Sequence, residues 1–117
     1  MKIDYEMRLH ENPFYKIKSG KQKIEGRLFD LKRQKFKVGN VIRVYLRPEE
    51  KEFFDIRIVE LKRYGSFRDM FLDLGPIVFW REEDCRVEDF ILAYRKYYSE
   101  EAERELGVLG IRVEVLL

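Results

Sequence analysis

Residues 12–28, NPFYKIKSGKQKIEGRL, predict a short helix followed directly by a strand. Asn12 and Pro13 are typical of a helix N-terminus, with an Asn cap followed by proline at the first helical position. The pair Ser19-Gly20 indicates that the helix ends after about two turns. Residues 23–28 then alternate between charged positions and apolar or small ones, which is the pattern of a strand with two different faces.

This predicted strand carries a row of charge on one face. Because successive side chains of a strand point to opposite sides, Lys23, Glu25 and Arg27 share a face, and residues two apart on it are separated by ~6.6 Å. Such a row can hold one ligand between its members, or it can be a set of surface charges that pair with one another. The second arrangement contributes little to stability.

The rest of the chain adds further strands and helices. Residues 41–46 and 53–63 are rich in β-branched and aromatic residues and predict two strands joined as a hairpin. Ser66 is suited to cap a helix that ends at Gly75-Pro76. The remaining predicted elements are an amphipathic helix from Val87 with Phe90, Ile91, Tyr94 and Tyr98 on its apolar face, a short helix between Ser99 and Gly107, and a strand over 108–115.

Strands at both ends and in the middle of the chain, with helices between them, predict an α+β domain built as a small barrel or half-barrel. The length of 117 residues fits a single domain spanning 1–117. With one cysteine, Cys85, and one histidine, His10, the chain has neither an intramolecular disulfide nor a structural zinc site of its own.

The composition favours a soluble, cytoplasmic protein. No apolar run approaches the length of a membrane span, and the N-terminus MKIDYEMRLH carries acidic residues where a signal peptide is apolar. Charged residues make up 39% of the chain, whereas Asn and Gln occur twice each and Thr is absent, a balance typical of heat-adapted proteins. We therefore expect a thermophilic source.

The charge is distributed unevenly along the chain. Residues 1–48 contain 13 Lys/Arg and 5 Asp/Glu, whereas residues 49–117 contain 11 and 17. The segment 16–37 alone holds 9 basic and 2 acidic residues. A basic segment of this kind is either a solvated surface or the electrostatic footprint of a phosphate-binding one.

Several short blocks of the sequence resemble, in order, the ASCH domain, a PUA-like β-barrel family. In the first half these blocks are Asn12-Pro13-Phe14, Ile17-Lys18-Ser19-Gly20, Glu25-x-Arg27-Leu28, Lys32-Arg33 and Val38-Gly39. In the second half they are Arg63-Tyr64-x-Ser66-Phe67, Lys96-Tyr97-Tyr98-Ser99 and Leu106 to Ile111. The resemblance covers nearly the whole chain and is closest to compact prokaryotic members.

The resemblance implies a PUA-like small mixed β-barrel with inserted helices and a cleft beside the first helix and the charged strand, where RNA or a nucleotide-like ligand binds. The family signature reads Gly-x-Lys-x-x-Glu-x-Arg, and Gly20, Glu25 and Arg27 match it. Gln22 replaces the signature lysine, and Lys21 and Lys23 flank it. Some relatives are amidohydrolases of acetylated cytidine with a threonine nucleophile, which this chain lacks.

We therefore expect an RNA-binding or nucleotide-binding module that is not an enzyme. The Arg27 guanidinium can donate hydrogen bonds to a phosphate or to a base edge, and the Glu25 carboxylate can accept a hydrogen bond from an amino group. Basic residues at the rim contact the nucleic-acid backbone, and aromatic or hydroxyl side chains contact bases. The complete expected set is Lys21, Lys23, Glu25, Arg27, Lys32, Arg33, Tyr64, Ser66 and Tyr97, with Lys35 and Lys37 extending the rim and Tyr98 assigned to the core.

Two other functions remain open at this point. One is a hydrolase of a modified nucleoside, such as an acylated cytidine, in which Glu25 is the general base and Lys23 or Arg27 stabilises the oxyanion. The other is a protein-interaction module that uses the acidic cluster Glu82-Glu83-Asp84. The sequence has no phosphate-binding loop, dinucleotide fingerprint or metal-ligand cluster, so we expect no cofactor and no metal, no membrane association, and a monomer or weak homodimer.

Overall fold

The computed structural model of the protein describes all residues, 1–117, and contains five strands and four α-helices. The strands are β1 (Tyr5–Leu9), β2 (Ile24–Leu28), β3 (Val41–Leu46), β4 (Phe53–Tyr64) and β5 (Val108–Leu116). The helices are α1 (Glu11–Lys18), α2 (Phe67–Leu74), α3 (Val87–Arg95) and α4 (Glu100–Leu106), and single 3₁₀ turns lie at Arg33–Lys35 and Ile77–Phe79.

The strands form one curled half-barrel sheet in the order β1-β3-β4-β5-β2. Strands β1 and β3 run parallel, and every other neighbouring pair is antiparallel. The long strand β4 has an irregularity between Ile58 and Glu60, where its register with β5 shifts. The predicted α+β half-barrel is therefore confirmed.

Two hydrophobic cores lie on either side of this sheet. The first core fills the curl of the sheet and includes Phe14 and Ile17 of α1. The second core packs α2 and α3 against β2 and the start of β5, with Phe67, Met70 and Phe90 at its centre. Helix α1 therefore belongs to one core and α3 to the other.

None of the helices is long and apolar enough to span a membrane.

The start of α1 differs from the prediction. The helix begins at Glu11, its N-cap residue is His10 in extended conformation, and Pro13 is the third helical residue instead of the first. Proline is tolerated there because the N–H groups of the first turn have no acceptor within the helix. The first intrahelical bond runs from the Phe14 N–H to the His10 carbonyl, at 3.0 Å. Asn12 is therefore not the cap.

Two further boundaries differ from the prediction. Strand β2 begins at Ile24, so Lys23 precedes it, although the Lys23 backbone still bonds to Val78 and Val113. Helix α3 ends at Arg95, and Tyr98 lies in the turn that follows it. The Tyr98 ring nevertheless packs on Phe67 at 5.7 Å, so the expected core contact forms outside the helix.

Candidate nucleic-acid cleft

A cleft of about 510 Å³ lies between α1, β2 and α3. Its walls carry six Lys/Arg residues and a single carboxylate, that of Glu25. The basic residues are Arg8, Lys16, Arg27, Arg47, Arg81 and Lys96. Field lines concentrate in a concave surface lined by one sign of charge, so this cleft attracts anions.

Strand β2 forms the floor of the cleft because of its alternating pattern. Ile24 and Leu28 are buried in the second core, while Glu25 and Arg27 line the cleft. Between them, Gly26 has no side chain, and a Cβ there would lie 2.7 Å from both the Met70 Cε and the Tyr94 hydroxyl. The absence of a side chain at residue 26 thus lets α2 and α3 pack directly onto the strand.

Glu25 is a buried acid, only 8% exposed. Burial raises the pKa of its carboxyl, while the nearby Arg27 and Arg33 guanidinium groups and the Gly26 N–H lower it to a smaller extent. No cation lies within the 4.0 Å of an ion pair. Of the two alternatives for the charged row, a solvent-exposed surface pair does not describe Glu25, because its carboxyl is buried and has no paired cation.

Arg27 keeps its charge beside this carboxyl. Burial lowers the pKa of the guanidinium, but attraction to Glu25, Tyr98 and Tyr94 outweighs that effect and raises the pKa overall. The two tyrosine hydroxyls themselves stay protonated, because burial raises the pKa of each. The floor of the cleft thus combines one permanent cation, one titratable carboxyl and two neutral hydroxyls.

The tyrosines are held in place by α2. The Tyr94 ring stacks on Phe67, with centroids 4.2 Å apart and planes 15° from parallel. Phe67 is fully buried and also supports Tyr98. Tyr97, by contrast, is 63% exposed and lines the mouth of the cleft. An exposed ring at this place can stack on an unpaired base.

Glu25, Arg27 and Tyr97 are the members of the expected set that line the cleft. Lys21 lies outside it, with its Nζ atom 4.8 Å from the centre of the Trp80 ring. Lys23 is exposed and outside the cleft as well, so it does not converge with Glu25 and Arg27. Gln22 does line the cleft, and its Nε2 donates to the Ile24 carbonyl at 2.9 Å. No lysine from residues 21–23 therefore replaces the signature lysine in the cleft.

Lys32 and Arg33 do not line the cleft. The Lys32 Nζ donates to the Glu6 carbonyl at 2.6 Å and lies in a shallow depression that shares Arg8 with the cleft. Arg33 pairs with Asp30 at 3.3 Å, and its buried Nε has no hydrogen-bond partner. Burial and repulsion from Arg27 lower the pKa of both side chains.

Tyr64 and Ser66 lie on the second core, away from the cleft. The Tyr64 hydroxyl donates to Asp73 at 2.6 Å, and burial together with this bond raises its pKa. The Ser66 Oγ accepts from the Asp69 N–H at 3.0 Å and caps α2. These contacts stabilise the fold and bring neither side chain into the cleft. The acidic residues 82–84 are exposed in the loop before α3.

Sequence reasoning missed most of the basic wall. The parallel register of β1 and β3 pairs Leu9 with Leu46, so the residues that follow, His10 and Arg47, emerge at the same end of the sheet. The Arg47 N–H donates to the Leu9 carbonyl at 2.8 Å and fixes this geometry. For Arg47, the only signal in the sequence is that it directly follows a predicted strand, which is uninformative without the pairing of β1 with β3.

Replacing Glu25 with glutamine is expected to stabilise the protein at neutral pH by about 1–2 kcal/mol. The folded pKa of Glu25 lies above its unfolded value, so the wild-type protein loses stability as pH rises from the unfolded pKa through the folded one. The glutamine variant avoids this loss, and its advantage should grow between pH 4 and pH 8. Urea unfolding at both pH values measures it.

Glu114→Gln is the matched control, because Glu114 is an exposed residue of β5 that pairs with Arg57 at 3.4 Å. An exposed pair of this kind contributes little, so that variant should match the wild type at both pH values. An advantage of Glu25→Gln that does not change with pH would contradict the pKa direction given above.

The chain is similar to two solved archaeal proteins over nearly its whole length. It shares 33% identity with the hypothetical protein PH0355, covering 96% of this chain and 98% of that one, with a TM-score of 0.81. It shares 35% identity with protein PF0455 from Pyrococcus furiosus, covering 96% of each, with a TM-score of 0.72. No family model and no curated protein matches the chain.

A more distant structural neighbour carries a family name. The ASCH protein from Zymomonas mobilis has a TM-score of 0.63 and 14% identity, over 93% of this chain and 65% of that one. This likeness is one of fold, and it agrees with the resemblance that the sequence blocks indicate. The chain therefore belongs to one family with PH0355 and PF0455, and its fold is that of an ASCH domain.

Proposed function

We propose that the protein is an RNA-binding module and that one unpaired nucleotide enters the cleft. The observation that carries this proposal is the composition of the cleft walls, which hold six Lys/Arg residues around one buried carboxylate. The volume of about 510 Å³ lies within the range of small-molecule sites and accommodates a nucleotide. The ASCH fold supports the same class of function.

The proposed contacts divide into backbone and base contacts. Lys16 and Arg47 line the cleft without an ion pair and are the proposed phosphate contacts, whereas Arg8 already pairs with Glu6 and Glu50 at 3.0 Å each. Contacts of this kind supply affinity that depends on salt and not on sequence. Glu25 and Arg27 on the floor of the cleft, together with the tyrosines that line it, then contact the base.

Arg47→Glu tests the proposal. Arg47 is exposed and has no ion pair, so the substitution changes the charge at the rim without breaking a contact in the protein. We expect the affinity for a labelled RNA hairpin with an unpaired loop, measured by fluorescence anisotropy, to fall about 10-fold, and the salt dependence of binding to become shallower.

Arg68→Glu is the matched control, because Arg68 is an exposed residue of α2 that has no ion pair and does not line the cleft. Both variants carry the same net charge. An equal loss of affinity in the two would mean that binding follows overall charge and not the cleft. No binding by the wild type at low salt would overturn the proposal.

A second candidate function is hydrolysis of an acylated cytidine, favoured by the burial that raises the pKa of the Glu25 carboxyl, which is the direction that suits a general base. Glu25 would take a proton from water as the water oxygen attacks the amide carbonyl beside Arg27, and it would return that proton to the N4 nitrogen as the C–N bond breaks, releasing acetate and cytidine. Lys23 lies outside the cleft and has no part in this scheme. Release of acetate from acetylated cytidine by the wild type but not by Glu25→Gln would establish it.

A further inference from the structure

The Glu25 carboxyl lines the cleft without a hydrogen-bonding cation of its own. It is more than nine-tenths buried, and no Lys or Arg nitrogen lies within ion-pair distance of it. A buried charge without a partner is costly for a fold, and such groups are normally paired. The carboxylate therefore faces a cleft that opens to solvent with the Gly26 N–H as its protein hydrogen-bond donor and no paired cation.

The two oxygens of a carboxylate are matched best by two adjacent N–H donors. Among the RNA bases, guanine alone offers such an edge, with N1–H beside the N2 amino group. Cytosine and adenine each place a single amino group next to a ring nitrogen that is an acceptor. The lone pair of that nitrogen would repel the second carboxylate oxygen. Uracil has one N–H between two carbonyls. Ionised Glu25 is thus complementary to guanine and mismatched to the other three bases.

Arg27 extends this match to a second edge of the same base. It follows Glu25 by two residues on one face of β2, so the two side chains start ~6.6 Å apart and point in the same direction. The O6 and N7 atoms of guanine are both acceptors, and a guanidinium pairs with them through two hydrogen bonds. Guanine therefore presents donors to Glu25 and acceptors to Arg27.

We infer that the cleft selects guanine, with Glu25 accepting from N1–H and N2–H and Arg27 donating to O6 and N7. This inference rests on the proposed function, because the guanine is an unpaired base of bound RNA. The basic residues of the cleft wall bind the neighbouring phosphates, and Glu25 and Arg27 on the floor recognise the base. Backbone affinity and base selection therefore depend on different side chains and can be tested separately.

The selection depends on the ionisation of Glu25. The charged and titratable groups that face it are Arg27 on its own strand, Arg33 in the 3₁₀ turn, and Tyr94 and Tyr98 on and after α3. The cations favour the ionised carboxyl, while burial favours the neutral one. A protonated carboxyl has one donor and one acceptor, which matches cytosine or adenine instead. The preference for guanine should consequently weaken as pH falls.

The test uses four RNA hairpins with the same stem and a loop of uridines in which one central residue is guanosine, inosine, cytidine or uridine. We expect the guanosine loop to bind the wild-type protein about 10-fold more tightly than the uridine loop. The inosine loop, which lacks the N2 amino group, should lose most of this advantage. Glu25→Gln should bind the guanosine and inosine loops alike, because the N2 amino group that distinguishes them contacts only the Glu25 carboxylate, and Glu114→Gln should behave as the wild type.

The outcomes separate this inference from the proposed function. Salt-dependent binding of all four hairpins with equal affinity would overturn guanine selection and leave RNA binding in the cleft intact. A preference for guanosine over inosine that Glu25→Gln retains would overturn the assignment to Glu25. Failure of every hairpin to bind the wild type would overturn the proposed function as well. Because Glu25→Gln is expected to be more stable than the wild type, its loss of preference cannot be ascribed to unfolding.

Discussion

Glu103→Ala is expected to lower the free energy of unfolding by about 3–5 kcal/mol, because it removes one partner of a buried ion pair. Glu103 is 6% exposed, and its carboxylate accepts from the Arg95 Nη2 and from the Phe67 N–H, each at 2.7 Å. These two contacts tie α4 to α3 and to the first turn of α2. Urea unfolding followed by circular dichroism measures the change.

The size of this effect follows from what the substitution leaves behind. The Arg95 guanidinium loses its ion pair in a half-buried position, and the Phe67 N–H, which has no acceptor within α2, is left unsatisfied. The negative charge at the positive end of the helix dipole is lost as well. Three favourable interactions therefore disappear together.

Glu105→Ala is the matched control, since Glu105 lies on the same helix but is exposed and has no ion pair. Its stability should remain within about 0.5 kcal/mol of the wild type. Glu103→Gln retains an acceptor for the Phe67 N–H and should fall between the two, which keeps the comparison possible if the alanine variant does not fold. Equal stability of the Glu103 and Glu105 alanine variants would contradict the role given to Glu103.

The elements that the sequence predicts well are those set by local interactions. The hairpin of β3 and β4 and the caps at Ser66 and Ser99 depend on residues within a few positions of one another. Even there, local rules leave some freedom: the Asn12-Pro13 pair is compatible with a helix that starts two residues earlier than predicted, because proline is accepted throughout the first turn.

The cleft is harder to predict because distant segments assemble it. Glu25 and Arg27 are recognisable from strand alternation, but Tyr94 and Tyr98, which share the cleft with them, come more than sixty residues later. Arg47 joins the wall only through the parallel pairing of β1 with β3. Glu103 is an acidic residue in the first half of α4, where it favours the N-terminus of its own helix, yet its carboxylate accepts the Phe67 N–H at the start of α2. In each case the prediction would have required knowing which distant segments of the chain pack together.

Phe67→Ala is expected to destabilise the protein by about 3–5 kcal/mol and also to weaken RNA binding. Phe67 is fully buried in the second core, so its truncation leaves a cavity that neighbouring side chains fill only in part. It also stacks on Tyr94 and Tyr98, which line the cleft. Without that support, both tyrosines gain rotamer freedom that a bound base must then restrict.

Ile58→Ala separates the two consequences. Ile58 is fully buried in the first core and does not line the cleft, so its truncation should cost a comparable 2–5 kcal/mol without touching the tyrosines. Binding of the guanosine hairpin is then compared by anisotropy at a temperature where circular dichroism finds both variants folded. A further loss of affinity of about 5-fold in Phe67→Ala over Ile58→Ala is expected, corresponding to ~1 kcal/mol of restored side-chain order. Equal affinities would mean that Phe67 stabilises the second core without positioning the cleft tyrosines.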